Sequence, residues 1–262
     1  MPELVIEMKK LNVMFLVMFI LTSNLKGQQD PVSSQYMFNT FYFNPGFAGI
    51  SGMVCATAIS RQQWVGFKGA PSTNLFTVNT PLRLFGTEGG IGLTVDNDKT
   101  GFDSDIRIAG SYSYHFNIGA GKLGAGIMLG MINESLNPTW QIPTSDIHTP
   151  VSGDPLIPEN KESHIAFDAG LGAYYTNEKY YVGFSVTHLN QAEFKFTKGH
   201  PYLTRHYYAL AGYNIQLSNP VFELMPSVLA CSDGRIVQFT VNSIVRYNKK
   251  VWGGVSYRAG DA

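Results

Sequence analysis

Stretches in which apolar and polar residues alternate fill this chain from about residue 56 onward. In 105–118, for example, Ile106, Ile108 and Phe116 fall on one face of an extended chain, and Arg107 and His115 fall on the other. A period of two is typical of a β-strand, because successive side chains point to opposite faces. Eleven such stretches follow one another with almost no helical interruption, which predicts an all-β fold.

The predicted strands are long. They cover about 56–66, 73–81, 89–97, 103–117, 122–133, 163–176, 179–189, 204–217, 221–231, 235–247 and 250–259. Strands of soluble proteins usually have about five or six residues, whereas a tilted strand needs about 9–11 residues to cross a membrane. The pattern therefore predicts a transmembrane antiparallel β-barrel. A soluble β-sandwich, with its aromatic residues in the core, is the alternative.

Composition agrees with a barrel. Only 15% of the residues are charged, whereas soluble proteins average about 25%. The mean hydropathy is nevertheless only −0.03. Both values fit a strand whose outer face meets lipid and whose inner face meets a polar lumen. Because the net charge is zero, nothing indicates a nucleic acid as a partner.

The N-terminus has the pattern of an export signal. Lys9 and Lys10 precede an apolar stretch at 11–21 that is too short to span a bilayer as a helix. Small and polar residues follow the apolar stretch. We interpret Met8 as the true start of the protein. The expected organisation is a signal peptide at 1–27, an aromatic N-terminal segment at 28–55 and the barrel at 56–262.

Connections between the predicted strands fall into two alternating sets. One set contains the proline-rich stretch 134–162 and the stretch 190–203, and the other contains tight turns such as 177–178. Outer-membrane barrels have this arrangement, with the long loops outside the cell.

The number of predicted strands is odd, whereas single-chain bacterial barrels have even numbers. We therefore predict that 56–262 lacks closing C-terminal strands of a barrel of about 12–14 strands. The alternative is that 35–43 supplies a further strand and restores an even number.

Aromatic residues and glycines recur along the strands. The aromatics at 174–175, 180–181 and 207–208, with Trp64, Trp252 and Tyr257, are interpreted as girdles at the membrane surfaces. The strand glycines are expected to relieve crowding where strands bend; they are Gly124, Gly126, Gly130, Gly170, Gly172, Gly183, Gly253 and Gly254.

The cysteines, Cys55 and Cys231, are better explained as small buried side chains than as a disulfide.

Motifs that suggest chemistry are better explained by strands and turns. The GxGxxG match at 119–124 precedes an alternating stretch, not the helix that a dinucleotide site needs. The stretch 96–101 resembles the start of a calcium loop, but Arg107 stands where the loop needs glutamate, so a hairpin turn is predicted. The histidines lack metal-ligand spacing, and no sequence feature brings the carboxylates Asp168 and Glu134 together. We expect no enzymatic activity and no catalytic, cofactor-binding or metal-binding residues.

Several ordered segments recur along almost the whole chain after the export signal. They are QQDPVSSQYMFNTFYFNPGFAG at 28–49, RQQWVGF at 61–67, GAPST at 69–73, YSYH at 112–115, YVGFS at 181–185, RHYY at 205–208 and WGGVSYR at 252–258. Together these segments resemble the PorP/SprF family of the Bacteroidetes type IX secretion system. The resemblance implies a barrel in the outer membrane of a Gram-negative bacterium. It also implies export or surface anchoring of large sorting-domain cargo such as adhesins, and a link to gliding motility.

Partners implied by this resemblance are outer-membrane lipid, type IX secretion components and a large secreted cargo protein. A passive porin or apolar-solute channel is the alternative function, since polar residues such as Arg107, His115, His206, Gln238 and Arg246 are expected to line the lumen. The aromatic N-terminal segment is expected to be a short first strand or a plug inside the barrel. A contact surface for secretion partners is the other interpretation. Specificity is also expected in loops 134–162 and 190–203.

Overall fold

The computed structural model describes residues 34–84, 86–138, 160–197 and 199–259. Three short helical turns come first: 3-10 helices at Tyr36–Phe38 and Pro45–Phe47 flank helix α1 at Thr40–Phe43. None of the described helices is long and apolar enough to cross a membrane. The predicted signal peptide at 1–27 and most of loop 134–162 lie outside the described residues.

Twelve antiparallel strands follow in the described part of the chain. They are β1 (Cys55–Gln62), β2 (Ser72–Leu84), β3 (Thr87–Thr100), β4 (Asp103–Ile118), β5 (Gly121–Leu136), β6 (Glu162–Thr176), β7 (Tyr180–Thr187), β8 (His206–Tyr213), β9 (Ile215–Gln216), β10 (Phe222–Ser232), β11 (Val237–Tyr247) and β12 (Val251–Ala259). Each of the eleven predicted strands corresponds to one of these within a few residues, except that 204–217 is divided into β8 and β9.

The strands form one sheet in which consecutive strands are neighbours, from β1 to β8 and then β10 to β12, with β9 beside β10. Pro226 explains the break between β8 and β9. It lies in β10 opposite this point and lacks the N–H that a sheet ladder needs, so β10 pairs with β8 only from Ser227 onward. Among the described residues, β1 and β12 are the edges of the sheet, which is open between them. The absence of closing strands stays a prediction.

One face of the sheet is buried and polar, and the other is exposed and apolar. On β4, Ser113 is fully buried, whereas 50% of Ile108 is exposed. On β11, Thr240 and Asn242 are buried and Val241 is exposed. A soluble sheet has the opposite polarity, because water favours exposed polar groups. The predicted fold class, an all-β antiparallel sheet of the outer-membrane barrel type, is confirmed.

Connections differ between the two ends of the sheet. At the turn end they cover only 85–86, 119–120, 177–179, 217–221 and 248–250. At the opposite end, here called the loop end, they cover 63–71, 101–102, 137–161, 188–205 and 233–236. The predicted division is therefore confirmed, although two connections at the loop end are also short.

The structure bears on several details of the predicted organisation. Residues 35–43 form helical turns and not a strand. The GxGxxG match consists of the turn 119–120 and the first residues of β5, as predicted. The stretch 96–100 is the end of β3, so the hairpin turn lies at 101–102 and is shorter than predicted. Both cysteines are free.

Candidate functional site

Residues 34–50, here called the plug, fill the interior of the sheet. Tyr36 is only 1% exposed, and Phe41 and Phe43 are also buried. The ring centroid of Phe43 lies 5.5 Å from that of Tyr208 on β8. Tyr36, Phe43 and Tyr208 form a cluster with Tyr174, Leu210, Leu229 and Cys231. The N-terminal segment is therefore a plug, and Tyr36, Phe41 and Phe43 are buried in it and do not form an exposed contact surface.

Hydrogen bonds join the plug to strands on both sides of the sheet. The Thr77 hydroxyl on β2 donates to the Asn39 side-chain oxygen at 2.9 Å. The Tyr36 hydroxyl donates to Ser227 on β10, also at 2.9 Å. Since β2 and β10 lie near opposite edges of the sheet, the sheet must curve around the plug for both contacts to form.

Inward-facing glycines make room for the plug. A Cβ atom on Gly124 would lie 2.1 Å from the carbonyl oxygen of Gly46, and one on Gly126 would lie 2.4 Å from the carbonyl carbon of Pro45. A Cβ atom on Gly92 would meet the ring of Phe41 at 2.3 Å. For Gly124 and Gly126 the structure gives a reason other than strand bending, because their missing side chains accommodate the plug.

Asn44 is the most enclosed polar residue of the plug and is fully buried. Its side-chain nitrogen donates to the carbonyl oxygens of Ala173 on β6 and Phe184 on β7, at 2.9 and 3.2 Å. Its side-chain oxygen accepts a hydrogen bond from the Gly46 amide at 2.9 Å. Asn44 therefore fixes the shape of the plug and its position against β6 and β7 at the same time.

Charged residues on the inner face also hold the plug. The Arg107 guanidinium donates to Asp96 at 2.8 Å and to the Tyr42 hydroxyl at 2.6 Å. The His115 ring nitrogen lies 2.9 Å from the Ala48 carbonyl oxygen. Of the polar residues predicted to line the lumen, these two are buried, as are His206 and Gln238, and Arg246 pairs with Glu223. The inner face thus binds part of the protein itself instead of lining an empty passage.

Loop 188–205 enters the interior from the loop end. Phe194 is 1% exposed and forms an apolar cluster with Phe196, Ile132 and Ala166. Phe194 and Phe196 therefore point inward, and the specificity expected in loop 190–203 stays a prediction. Burial of apolar area attaches this part of the loop to β5 and β6.

A buried pair marks the base of the same loop. The His188 ring nitrogen lies 2.9 Å from a carboxylate oxygen of Asp168, and both side chains are almost fully buried. Asp168 is opposite Gly130, whereas Glu134 is opposite His164, four positions further along the strands. The structure therefore does not bring Asp168 and Glu134 together.

The aromatic residues divide into inward and outward groups. Tyr174 and Tyr208 are buried beside the plug, which corrects their assignment to the girdles. Tyr175, Tyr180 and Tyr213 form an outward row at the turn end, with successive ring centroids 5.8 and 6.4 Å apart. Such a row is typical of the boundary between lipid and water.

An exposed apolar tip lies in loop 63–71. Trp64, Val65 and Phe67 are 74%, 78% and 75% exposed. The predicted strand 56–66 actually ends at Gln62, so Trp64 belongs to this loop and not to a strand-end girdle. The positive φ angles of Trp64 and Gly66, 48° and 104°, show the tight turning that sequence alternation did not indicate.

Comparison with known proteins assigns the chain to a family. The family model for the type IX secretion system membrane protein PorP/SprF matches residues 25–262. The chain belongs to the PorP/SprF family. The resemblance inferred from the sequence is therefore confirmed over nearly the whole chain, and PorP/SprF membership indicates a membrane component of the type IX secretion system. Searches of curated proteins and of solved structures find no match.

Within the described ranges, no group of three or more His, Cys, Asp and Glu residues is arranged to hold a metal ion. Asp96, which begins the calcium-like stretch, is bound to Arg107 instead.

Proposed function

We propose that this PorP/SprF protein lies in the outer membrane and supports the export or surface anchoring of a large sorting-domain protein, such as an adhesin. Family membership supports a role in type IX secretion. The single structural observation that carries the proposal is the filled interior. The plug and loop 188–205 both occupy the polar inner face, so the protein is better suited to presenting surfaces than to passing solutes.

The exposed tip of loop 63–71 is the proposed contact surface for a protein partner. Trp64 and Phe67 together present a large apolar area at the loop end. Exposed aromatic residues of this kind are enriched at binding hot spots, because each buries much area with few rotatable bonds. In the proposed orientation the loop end faces outward from the cell, where secreted cargo would be held.

Pull-down from detergent-solubilised outer membranes tests this surface. The variant carries Trp64→Ser and Phe67→Ser, and the matched control carries Met53→Ser and Val54→Ser, two exposed apolar residues near the turn end. We expect the wild type and the control to recover a large sorting-domain protein, identified by mass spectrometry. The loop variant should recover at least roughly 30-fold less, since hot-spot truncation costs about 2 kcal/mol or more. Equal recovery by both variants contradicts the assignment of the surface.

A passive porin is the second candidate, because the inner face of the sheet is polar. Conductance in planar bilayers separates the two functions. A plugged scaffold should conduct ions weakly and intermittently. Steady conductance at the level of an open porin would favour the channel function.

A link to gliding motility is also part of the proposed function, because the family resemblance implies it. The test is to delete the gene and to score both the surface display of the cargo and spreading on agar. Loss of cargo display with normal spreading would restrict the function to secretion.

A further inference from the structure

A cavity of about 930 Å³ lies on the outer side of the sheet at the loop end. Loop 63–71 forms one wall, and its position is fixed by the Gly101 amide, which donates to the Gly69 carbonyl oxygen at 2.9 Å. The ends of β4, β5 and β6 form the other wall. Neither the plug nor loop 188–205 contributes to this lining.

The register of the strands places a polar row along the cavity. Lys99 on β3 pairs with Ser104 on β4, Ser104 pairs with Ser135 on β5, and Ser135 pairs with Ser163 on β6. These four residues therefore lie side by side across four strands, on a face that is mostly apolar. The Lys99 ammonium and the Ser104 and Ser135 hydroxyls are donors suited to an anion. The Ser163 hydroxyl instead donates to the Asn133 side-chain oxygen at 2.7 Å.

An apolar surface lies beyond the polar row, toward the middle of the sheet, after one mixed row that contains Ile106 and Asn133. Ile108, Met131 and Phe167 are paired neighbours on β4, β5 and β6, and all three are exposed. Because the same strands change from polar to apolar within four residues, the cavity lies where a headgroup region meets hydrocarbon.

Positive charge is concentrated at this cavity. Lys68, Lys99 and Lys161 line it, against one carboxylate, Asp103. The chain as a whole has no net charge, so the excess of cations is local. Each lysine side chain near an anionic lipid surface strengthens binding roughly fivefold.

We propose that this cavity binds the phosphate-bearing headgroup of an anionic lipid in the leaflet at the loop end. The three lysines and the Ser104 and Ser135 hydroxyls hold the phosphate, and the acyl chains lie along Ile108, Met131 and Phe167. The inference rests on the membrane location within the proposed function, but not on the role in cargo export.

Native mass spectrometry of the purified protein in detergent tests this lipid site. The probe is phosphatidic acid, whose headgroup is a phosphate monoester, compared with phosphatidylcholine and with inorganic phosphate alone. The test variant carries Lys68→Gln, Lys99→Gln and Lys161→Gln. The matched control removes the same charge at the turn end with Lys179→Gln, Lys249→Gln and Lys250→Gln.

We expect the wild type and the control to bind phosphatidic acid at least about tenfold more tightly than the test variant does, since three lysines are removed from one site. An equal loss in both variants, or binding of phosphatidylcholine as tight as that of phosphatidic acid, overturns the proposal. Binding of inorganic phosphate as tight as that of the lipid also overturns it, because the apolar surface would then contribute nothing. Flotation with phosphatidylcholine vesicles tests the membrane location separately, so a failure there is distinguishable from a failure of the site.

Discussion

Replacement of Gly124 by alanine tests whether the inward glycines exist to accommodate the plug. The added Cβ atom would lie 2.1 Å from the Gly46 carbonyl oxygen, so the plug or strand β5 must shift. That oxygen is held in place because it accepts a hydrogen bond from the Ser113 hydroxyl at 2.9 Å. The matched control is Gly110→Ala on β4, where an added Cβ atom has no neighbour within 4 Å.

Overpacking of this kind costs about 1–3 kcal/mol. Since about 1.4 kcal/mol corresponds to a tenfold change in an equilibrium, docking of the plug should weaken by about five- to 150-fold. Gly110→Ala should leave stability unchanged or raise it by about 0.4–1 kcal/mol, because alanine restricts the unfolded chain. The free energy of unfolding is measured by urea titration in detergent micelles, and opening of the interior is measured as conductance in planar bilayers.

The expected result is lower stability and more frequent conducting events for Gly124→Ala alone. If both alanine variants have the same stability and the same conductance as the wild type, the glycine does not accommodate the plug. If Gly124→Ala loses stability but the conductance does not change, the plug is not what closes the interior.

Three further perturbations test other contacts of the interior. Asn44→Ala removes the hydrogen bonds to β6 and β7, so two carbonyl groups lose a partner. The free energy of unfolding, measured by urea titration, should fall by about 2–4 kcal/mol. If the variant is as stable as the wild type, water replaces the side chain. Arg107→Met leaves Asp96 buried without its cation and should lower the free energy of unfolding by about 3–5 kcal/mol. The double variant Arg107→Met with Asp96→Leu should regain most of this stability. An equal loss in both variants would mean that the ion pair itself is not responsible. Phe194→Ala should release loop 188–205, because a Phe→Ala change in a packed site costs about 3–5 kcal/mol. Release is measured as faster cleavage of the loop by a protease. An unchanged cleavage rate would contradict anchoring by this ring.

Alternation along the chain predicted most of the fold because it records a property of each strand alone. On β4 and β11, the residues assigned to the polar face are the ones that the structure buries. Consecutive pairing followed from the short connections, since a turn as short as 119–120 leaves two strands little choice but to be neighbours.

The division of 204–217 depended on a residue outside that stretch. The missing N–H group belongs to Pro226 on β10, so no pattern within 204–217 could indicate where β8 would stop. The positions of Tyr174 and Tyr208 could likewise not be predicted from the stretches of sequence that contain them. Their place beside the plug depends on Phe47 and Phe43, which are more than a hundred residues away in the chain.

By itself, the sequence determined the strands, their polarity, their order and the family of this protein, because these follow from local periodicity, turn chemistry and ordered motifs. Only the tertiary structure decided what fills the interior, which aromatic residues remain exposed and why Gly124 must be glycine. Those features arise where segments distant in the chain pack together at van der Waals distance. The local pattern of one segment does not indicate which other segment it will contact.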